Sequence, residues 1–494
     1  MFSAIRKTLS ALTAPLRRQL ARAPVLAYLI GLVAAVALER WVGEDFARML
    51  RFRKIPNLFG TLDIMEPFSD LDFSGILAPF FPSPSMTIEA PLQQSGQAIG
   101  NLATTFWNSL FYQGARDPGF FDVLLRVVVY DVVIFVIPIL LVALLLRAPS
   151  LLVVRRLPRW ASGVLHIVVL YAAVWLWGEV SDYRELVLVF IGVNIMLTIS
   201  LNLVNGYMGE FSVGHAGFMA VGAYISSILT MVLFADTRVF GPPLLSPDLG
   251  LPLGFIIALI AGGVAAALAG LLVAFPSFKT RGDYLAIVTL AVNFIVQGVI
   301  NNIEAIGGPR GLNGVPLWTN LNWVFFAIIL SVVAIYNLVN STFGKGIIAI
   351  REDEIAAGLM GVNTRRVKLV AFLVSSFIAG VAGGLFAHVL AYVNPGNFGI
   401  LKSTEVLVMV YLGGMGSISG SVVAAVVFTV LIEALRPLAV LKWVVIPLIL
   451  IILMLFRPQG LFGFREIKLN LGFDKKETTP QQVAMEAGDA VAGD

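Results

Sequence analysis

The chain has 494 residues, 58% hydrophobic and 13% charged, with a formal net charge of +4 and no cysteine. Soluble domains carry about a quarter charged residues, so this composition excludes a soluble globular protein and points to a polytopic membrane protein. Without cysteine there is no disulfide, thiolate nucleophile or Cys-ligated zinc, three scattered histidines make a poor metal site, and the bases lie beside apolar segments, which marks topology rather than nucleic-acid binding.

Residues 1–22 hold Arg6, Lys7, Arg17, Arg18 and Arg22 without an acid, and the apolar stretch 24–38 follows. The outline is that of a signal peptide, but no small-x-small site precedes Glu39. It is read as an uncleaved first span behind a basic cytoplasmic terminus, 1–23. Residues 39–122 are proline-rich, mixed in charge and too polar to span, and read as a long loop inside an N-terminal extension of two spans, 24–160. Further spans are expected at 127–146, 163–177, 186–204, 216–235, 251–275, 284–303, 322–339 and 369–390, by the length a helix needs to cross a bilayer. A glycine-interrupted segment, 405–435, and a last apolar run, 443–456, complete a transmembrane domain spanning 161–463, and the polar tail 464–494 reads as disordered. Small residues at 261–263, 265–267, 269–270 and 380–384 suit close helix packing.

With the first terminus in the cytoplasm, 21 of the 34 bases fall in inner segments and 12 in outer ones, Arg126 standing at a span edge. The positive-inside rule selects this orientation, with N- and C-termini both cytoplasmic. Arg48, Arg51, Arg53 and Lys54 dissent, but long loops translocate largely regardless of charge. For the basic C-terminal segment to end inside, 405–435 must enter and return, turning at Gly413, Gly414, Gly416 and Gly420. The fold class is all-α: a transmembrane helical bundle of ten or eleven membrane segments, one of them re-entrant or broken.

Between two spans lies a polar island, 343–368. Ile348, Ile355, Leu359 and Val362 fall on one stripe of a helix. Glu352, Asp353 and Glu354 precede Arg365, Arg366 and Lys368, the order the helix dipole favours, and Gly361 with Asn363 offers a stop. Two readings stay open: a docking surface for a cytoplasmic partner, or a solvated loop helix.

A second polar break, 202–224, carries Asn202, Asn205, Gly209, Glu210, Ser212 and His215. Met208-Gly209-x-x-Ser212 recurs as Met415-Gly416-x-x-Ser419, and paired interruptions in a membrane chain point to a translocation site. These residues, with Gly416 and Ser419, are candidates for a pathway or gate, against the alternative of a loop at the inner interface. Helix N-termini near Gly209 and Gly416 are candidate donors for a substrate carboxylate. His166, His388 and Asp131 lack partners in sequence and read as packing. No G-x-x-x-x-G-K-[ST] occurs, so any ATPase must be another chain.

Six stretches carry a resemblance: SLNLVNGYMGEFSVGHAGFMAVGAY from Ser200, RGDYLAIVTLA from Arg281, GGPRGLNGV from Gly307, AIREDEIAAGLMGVN from Ala349, LGGMGSISGSVV from Leu412 and FRPQGLFG from Phe456. As an ordered set over 165–463 they resemble the permease subunits of ABC importers for branched-chain amino acids, M-type. The resemblance implies a transport subunit of the bacterial inner membrane that is no enzyme and binds no cofactor itself. Its partners would be a second homologous permease, two cytoplasmic ATPase subunits carrying ATP and Mg, and a soluble substrate-binding protein. It assigns ATPase coupling to Arg351, Glu352, Asp353, Glu354, Ile355, Ala356, Ala357, Gly358 and Gly361. Related permeases carry urea or short amides, and a secondary transporter using Glu210 and His215 as a proton relay is the rival. Nothing carries over to residues 1–160, which exceed the usual permease.

Overall fold

The computed structural model describes residues 23–50, 120–235, 240–245, 250–278 and 284–435, with isolated positions between 447 and 466. Among these residues nine helices are long and apolar enough to cross a membrane. The sheet is one antiparallel pairing of β1 (Leu312–Asn313) with β2 (Tyr392–Val393), Leu312 opposite Val393. The all-α expectation holds. The basic start, most of the proline-rich loop, most of the run 443–456 and the tail apart from Glu466 lie outside the described residues.

The chain divides into two compact units. In the first, α1 (Val25–Met49) overturns the expectation of a loop from Glu39, because the helix runs on to Met49. Its polar turns find partners that hydropathy does not register: Arg48 with Glu44 at 3.5 Å, one turn away, and Arg40 with Glu179 at 3.8 Å. Next come α2 (Phe120–Asp131), a π-helical turn (Val132–Val136) and α3 (Ile137–Leu145). Pro138, which cannot donate to the helix ladder, lies two residues after that widened turn. Gly31 of α1 meets α3 closely: a Cβ there would lie 2.8 Å from the Ile139 carbonyl oxygen. Pro158 separates α4 (Arg147–Arg156) from α5 (Arg159–Gly178).

The second unit opens with α6 (Asp182–Asn202), which runs into a π-helical turn, Leu203–Tyr207. Then follow α7 (His215–Phe234), α8 (Phe255–Ser277), α9 (Tyr284–Asn302), α10 (Leu321–Asn340), α11 (Thr342–Glu352), α12 (Glu354–Leu359), α13 (Thr364–Leu390), α14 (Ile400–Gly413) and α15 (Ile418–Ala434). The α6 span is the centre, with 89% of its most apolar stretch buried. Beside it α7, α8 and α13 touch main chain to main chain. A Cβ on Gly222 would overlap the Gly380 backbone, one on Gly383 would overlap the Met219 carbonyl, and one on Gly262 would lie 2.7 Å from the Gly222 oxygen. The small-residue stripes do what their composition suggested.

The segment 405–435 is a broken hairpin whose first arm begins earlier, at Ile400. It turns through Gly414 (φ +105°) and Gly416 (φ +76°), conformations that favour glycine. Gly420 lies inside the first turn of α15 and packs instead of turning, its carbonyl oxygen 2.5 Å from where a Cβ on Gly413 would stand.

Candidate functional site

The island 343–368 folds as α11, α12 and the start of α13 where the stripe predicted one helix. Asp353 is extended (φ −160°, ψ 111°), and its carboxylate accepts from the Ile355 and Ala356 amides at 2.8 and 3.0 Å. It is the N-cap of a new helix rather than a residue inside the old one. The break divides the stripe: Ile348 of α11 and Val362 after α12 are half-buried, while Ile355 and Leu359 are 70 and 85% exposed, with Met360 beside them at 86%. Of α12 only Ala357 is buried, and Ala356 and Gly358 face out with the acids Glu352 and Glu354. Gly361 (φ +89°) closes α12, where Val362 N donates to the Ala357 carbonyl at 3.1 Å and Gly361 N to that of Gly358 at 3.1 Å. Asn363 starts α13 by accepting from Arg366 N at 3.1 Å.

Two bases tie this helix pair to the break between α6 and α7. Arg351 Nη1 donates to the Gly206 carbonyl in the π-helical turn at 3.3 Å, and its Nη2 pairs with Glu352 at 2.6 Å. Gly209 (φ +77°) packs on the same arginine, with 2.7 Å from a would-be Cβ to Arg351 Cγ, so conformation and space both call for glycine. Lys368, 6% exposed, donates from Nζ to Glu210 Oε1 at 2.5 Å and to Glu354 Oε2 at 2.8 Å. Two carboxylates compensate one nearly buried ammonium, which would otherwise be costly. They also join α12, α13 and the α6–α7 loop at one point.

Asn205 staples that loop, its amide donating to the Ser212 carbonyl at 3.3 Å and its oxygen accepting from Ser212 N at 3.1 Å. The Ser212 hydroxyl is buried and has no partner among the described residues. His215 begins α7, fully buried, with Nε2 3.1 Å from Ser375 Oγ. Because the Ser375 hydroxyl donates to the Ser200 carbonyl at 2.6 Å, His215 donates through Nε2 and its Nδ1 stays bare. Glu210 and His215 therefore engage different groups of α13, Lys368 and Ser375, and form no bonded relay. His388 bonds Thr230 at 2.9 Å and the Gly384 carbonyl at 2.7 Å, while His166 bonds the Ser162 carbonyl at 2.7 Å, as packing residues would.

The two Met-Gly-x-x-Ser matches share a backbone state, Gly209 at φ +77° and Gly416 at φ +76°. Asn202 joins their surroundings. Its amide donates to the Ser417 carbonyl at 2.9 Å and to Ser421 Oγ at 2.8 Å, and its oxygen accepts from Gly416 N at 2.9 Å. The helix start after Gly416 is already occupied. Glu466 accepts from Ile418 N at 2.7 Å, Ser419 N at 3.0 Å, Ser419 Oγ at 2.5 Å and Tyr207 Oη at 3.0 Å. Burial works to raise the Glu466 carboxyl, but these donors outweigh it and hold it below the ordinary carboxylate value. Of the amides after Gly209, Glu210 N bonds the Val204 carbonyl at 3.2 Å, Val213 N bonds Thr289 Oγ1 at 3.2 Å and Ala216 N bonds Ser403 Oγ at 3.2 Å. Neither break offers a free row of donors to a substrate carboxylate in this conformation. Tyr207 and Glu466 escaped the sequence reading because 259 positions separate them and no spacing rule links them.

Residues 183–455, more than half of the chain, match the family described as "Branched-chain amino acid transport system / permease component". The chain belongs to that family. It is 33% identical over 320 residues to the high-affinity branched-chain amino acid transport system permease protein LivM of Escherichia coli K12, across 57% of this chain and 71% of that one. The probable branched-chain amino acid transport permease protein LivM of Methanocaldococcus jannaschii is 24% identical over 328 residues, 58% of this chain and 95% of its own. LivH of Salmonella typhimurium, a high-affinity permease protein of the same transport type, is 25% identical over 301 residues, 55% and 92% of the two chains. No solved structure matches. The stronger likeness to LivM puts this permease on the M-type side of the family. It is a multi-pass transport subunit and not an enzyme. The family match starts in α6, so all of it falls in the second unit.

Proposed function

We propose that this permease forms half of the pathway of an ATP-driven importer of branched-chain amino acids in a bacterial inner membrane, and that α12 is where a cytoplasmic ATPase subunit seats. One observation carries the reading. A short capped helix presents Ile355, Leu359 and Met360 to solvent, and Lys368 and Arg351 fasten the chain around it to the α6–α7 break. Exposed apolar side chains rimmed by acids suit a protein partner better than water. ATP and Mg belong to two such partners, a second permease completes the pathway, a soluble binding protein delivers substrate, and both termini are cytoplasmic. Nucleotide-driven closure of the ATPases pushes on α12, and the permease pair rocks between outward-open and inward-open states.

The test is to replace Glu352, Asp353 and Glu354 together with alanine and co-purify the assembled importer. Loss of the Asp353 cap costs about 1 kcal/mol of local helix stability. With it should go most ATPase retention and substrate uptake, while the permease itself still inserts. Undiminished retention together with undiminished uptake would remove the coupling assignment.

A further inference from the structure

Lys402 and Glu405 lie one helical turn apart on α14, with Lys402 Nζ 3.1 Å from Glu405 Oε2. The same ammonium donates to Asn194 Oδ1 at 3.1 Å. Asn194 is held in that orientation: its amide donates to Thr429 Oγ1 at 2.9 Å, and the Thr429 hydroxyl is already directed to the Ala425 carbonyl at 2.7 Å. Helices α6, α14 and α15 thus build one polar site.

Its depth sets it apart from the other ion pairs. The α6 span runs from Asp182 to Tyr207, and at a rise of about 1.5 Å per residue Asn194 lies about 18 Å from one end and about 20 Å from the other. An ammonium and a carboxylate bonded to that residue stand near mid-membrane. Neither is sealed in protein, their side chains being 18 and 20% exposed. Leu401, next to Glu405 on the same side of α14, is exposed as well. A Lys–Glu pair opening onto lipid at this depth would be expensive, so the face it opens onto is a water-filled or protein-lined passage.

We propose that Lys402 and Glu405 are the mid-membrane contact for the transported amino acid, Lys402 taking its α-carboxylate and Glu405 its α-ammonium. The inference rests on the importer reading above and adds the residues that recognise the substrate's charged end. At rest the two side chains satisfy each other. When a zwitterion arrives, each exchanges its partner for the substrate group of opposite charge, and Lys402 keeps Asn194. A neutral pair receives a neutral zwitterion, so no net charge is brought into the membrane at any stage. Urea or a short amide brings no charged groups to exchange and has no use for the pair. The apolar substrate side chain then meets the exposed aliphatic surface beside it.

The experiment uses the complete importer in proteoliposomes, with labelled leucine uptake and ATP hydrolysis measured on the same preparation. Lys402→Met and Glu405→Gln should each lower uptake by about tenfold or more, with basal ATP hydrolysis and subunit retention kept. Lys402→Arg should recover much of the uptake. Because the chain has no cysteine, a single Lys402→Cys or Glu405→Cys should react with a charged thiol reagent, and leucine should slow the reaction. Uptake within twofold of the unsubstituted importer for both neutral variants, or labelling that leucine leaves unchanged, overturns the proposal. So does disassembly of the permease pair in Lys402→Met and Glu405→Gln alike, which would make the two residues an inter-subunit contact. If the unsubstituted importer takes up no amino acid at all, the importer reading fails first and the pair's role fails with it.

Discussion

Glu466 holds its charge where two helix breaks meet, and the consequence is a pH dependence of known sign. Its folded-state value lies below the ordinary value of 4.5. The stability it contributes is therefore complete above that value and is lost as pH falls through the lower folded one. Thermal unfolding of the purified permease should show an acid-side decline below about pH 4.5 that Glu466→Gln flattens, with the two proteins converging at low pH. Equal pH slopes would show that the carboxylate is not held in this way. Asp353 teaches a related lesson about reading single residues. Its order before the bases was legible in the sequence, but a stripe at helical spacing cannot register an extended residue that ends one helix and caps the next. The cap signal was available: an aspartate followed directly by good helix formers.

At the scale of elements, hydropathy located the spans well because the lipid requirement is averaged over a whole helix. It failed at α1, whose last turns are polar, and at α14, which starts too deep and too short to satisfy a span criterion. A segment start at Glu405 also leaves out Lys402 and so divides the ion pair. The glycine contacts were legible as small-residue stripes, but which glycines bear backbone contact was not. Gly222→Ala should destabilise the second unit by about 1–3 kcal/mol through overpacking against Gly380. Gly163→Ala, in α5 with nothing within 4 Å of the new methyl, should be neutral or slightly stabilising, by up to about 1 kcal/mol. Melting curves in one detergent compare the two directly, and equal shifts would contradict the packing described for α7, α8 and α13.

Across the second unit, contacts sort the loops to two ends. The β1–β2 pairing brings the connections after α9 and after α13 together, and the Lys368 and Arg351 contacts gather the α6–α7 loop with α11 and α12 at the other. The count of bases predicts the sidedness in the cell, and the absence of cysteine makes that prediction easy to measure. Leu359→Cys, 85% exposed beside the acids, should react with an impermeant reagent in inverted membranes that carry the permease without its ATPase, and not in intact cells. Leu317→Cys, 71% exposed at the opposite end, should do the reverse. Labelling of Leu359→Cys from outside would invert the topology and place α12 beyond the reach of any ATPase.

The backbone contact among α7, α8 and α13 has a mechanical meaning. At Gly222, Gly262 and Gly383 main chain meets main chain with no side chain between, so there a displacement of one helix is passed directly to its neighbour. In the rocking motion proposed above these three helices would move as one piece, with the left-handed corner at Gly209, just before α7, as the joint where the chain bends at least cost.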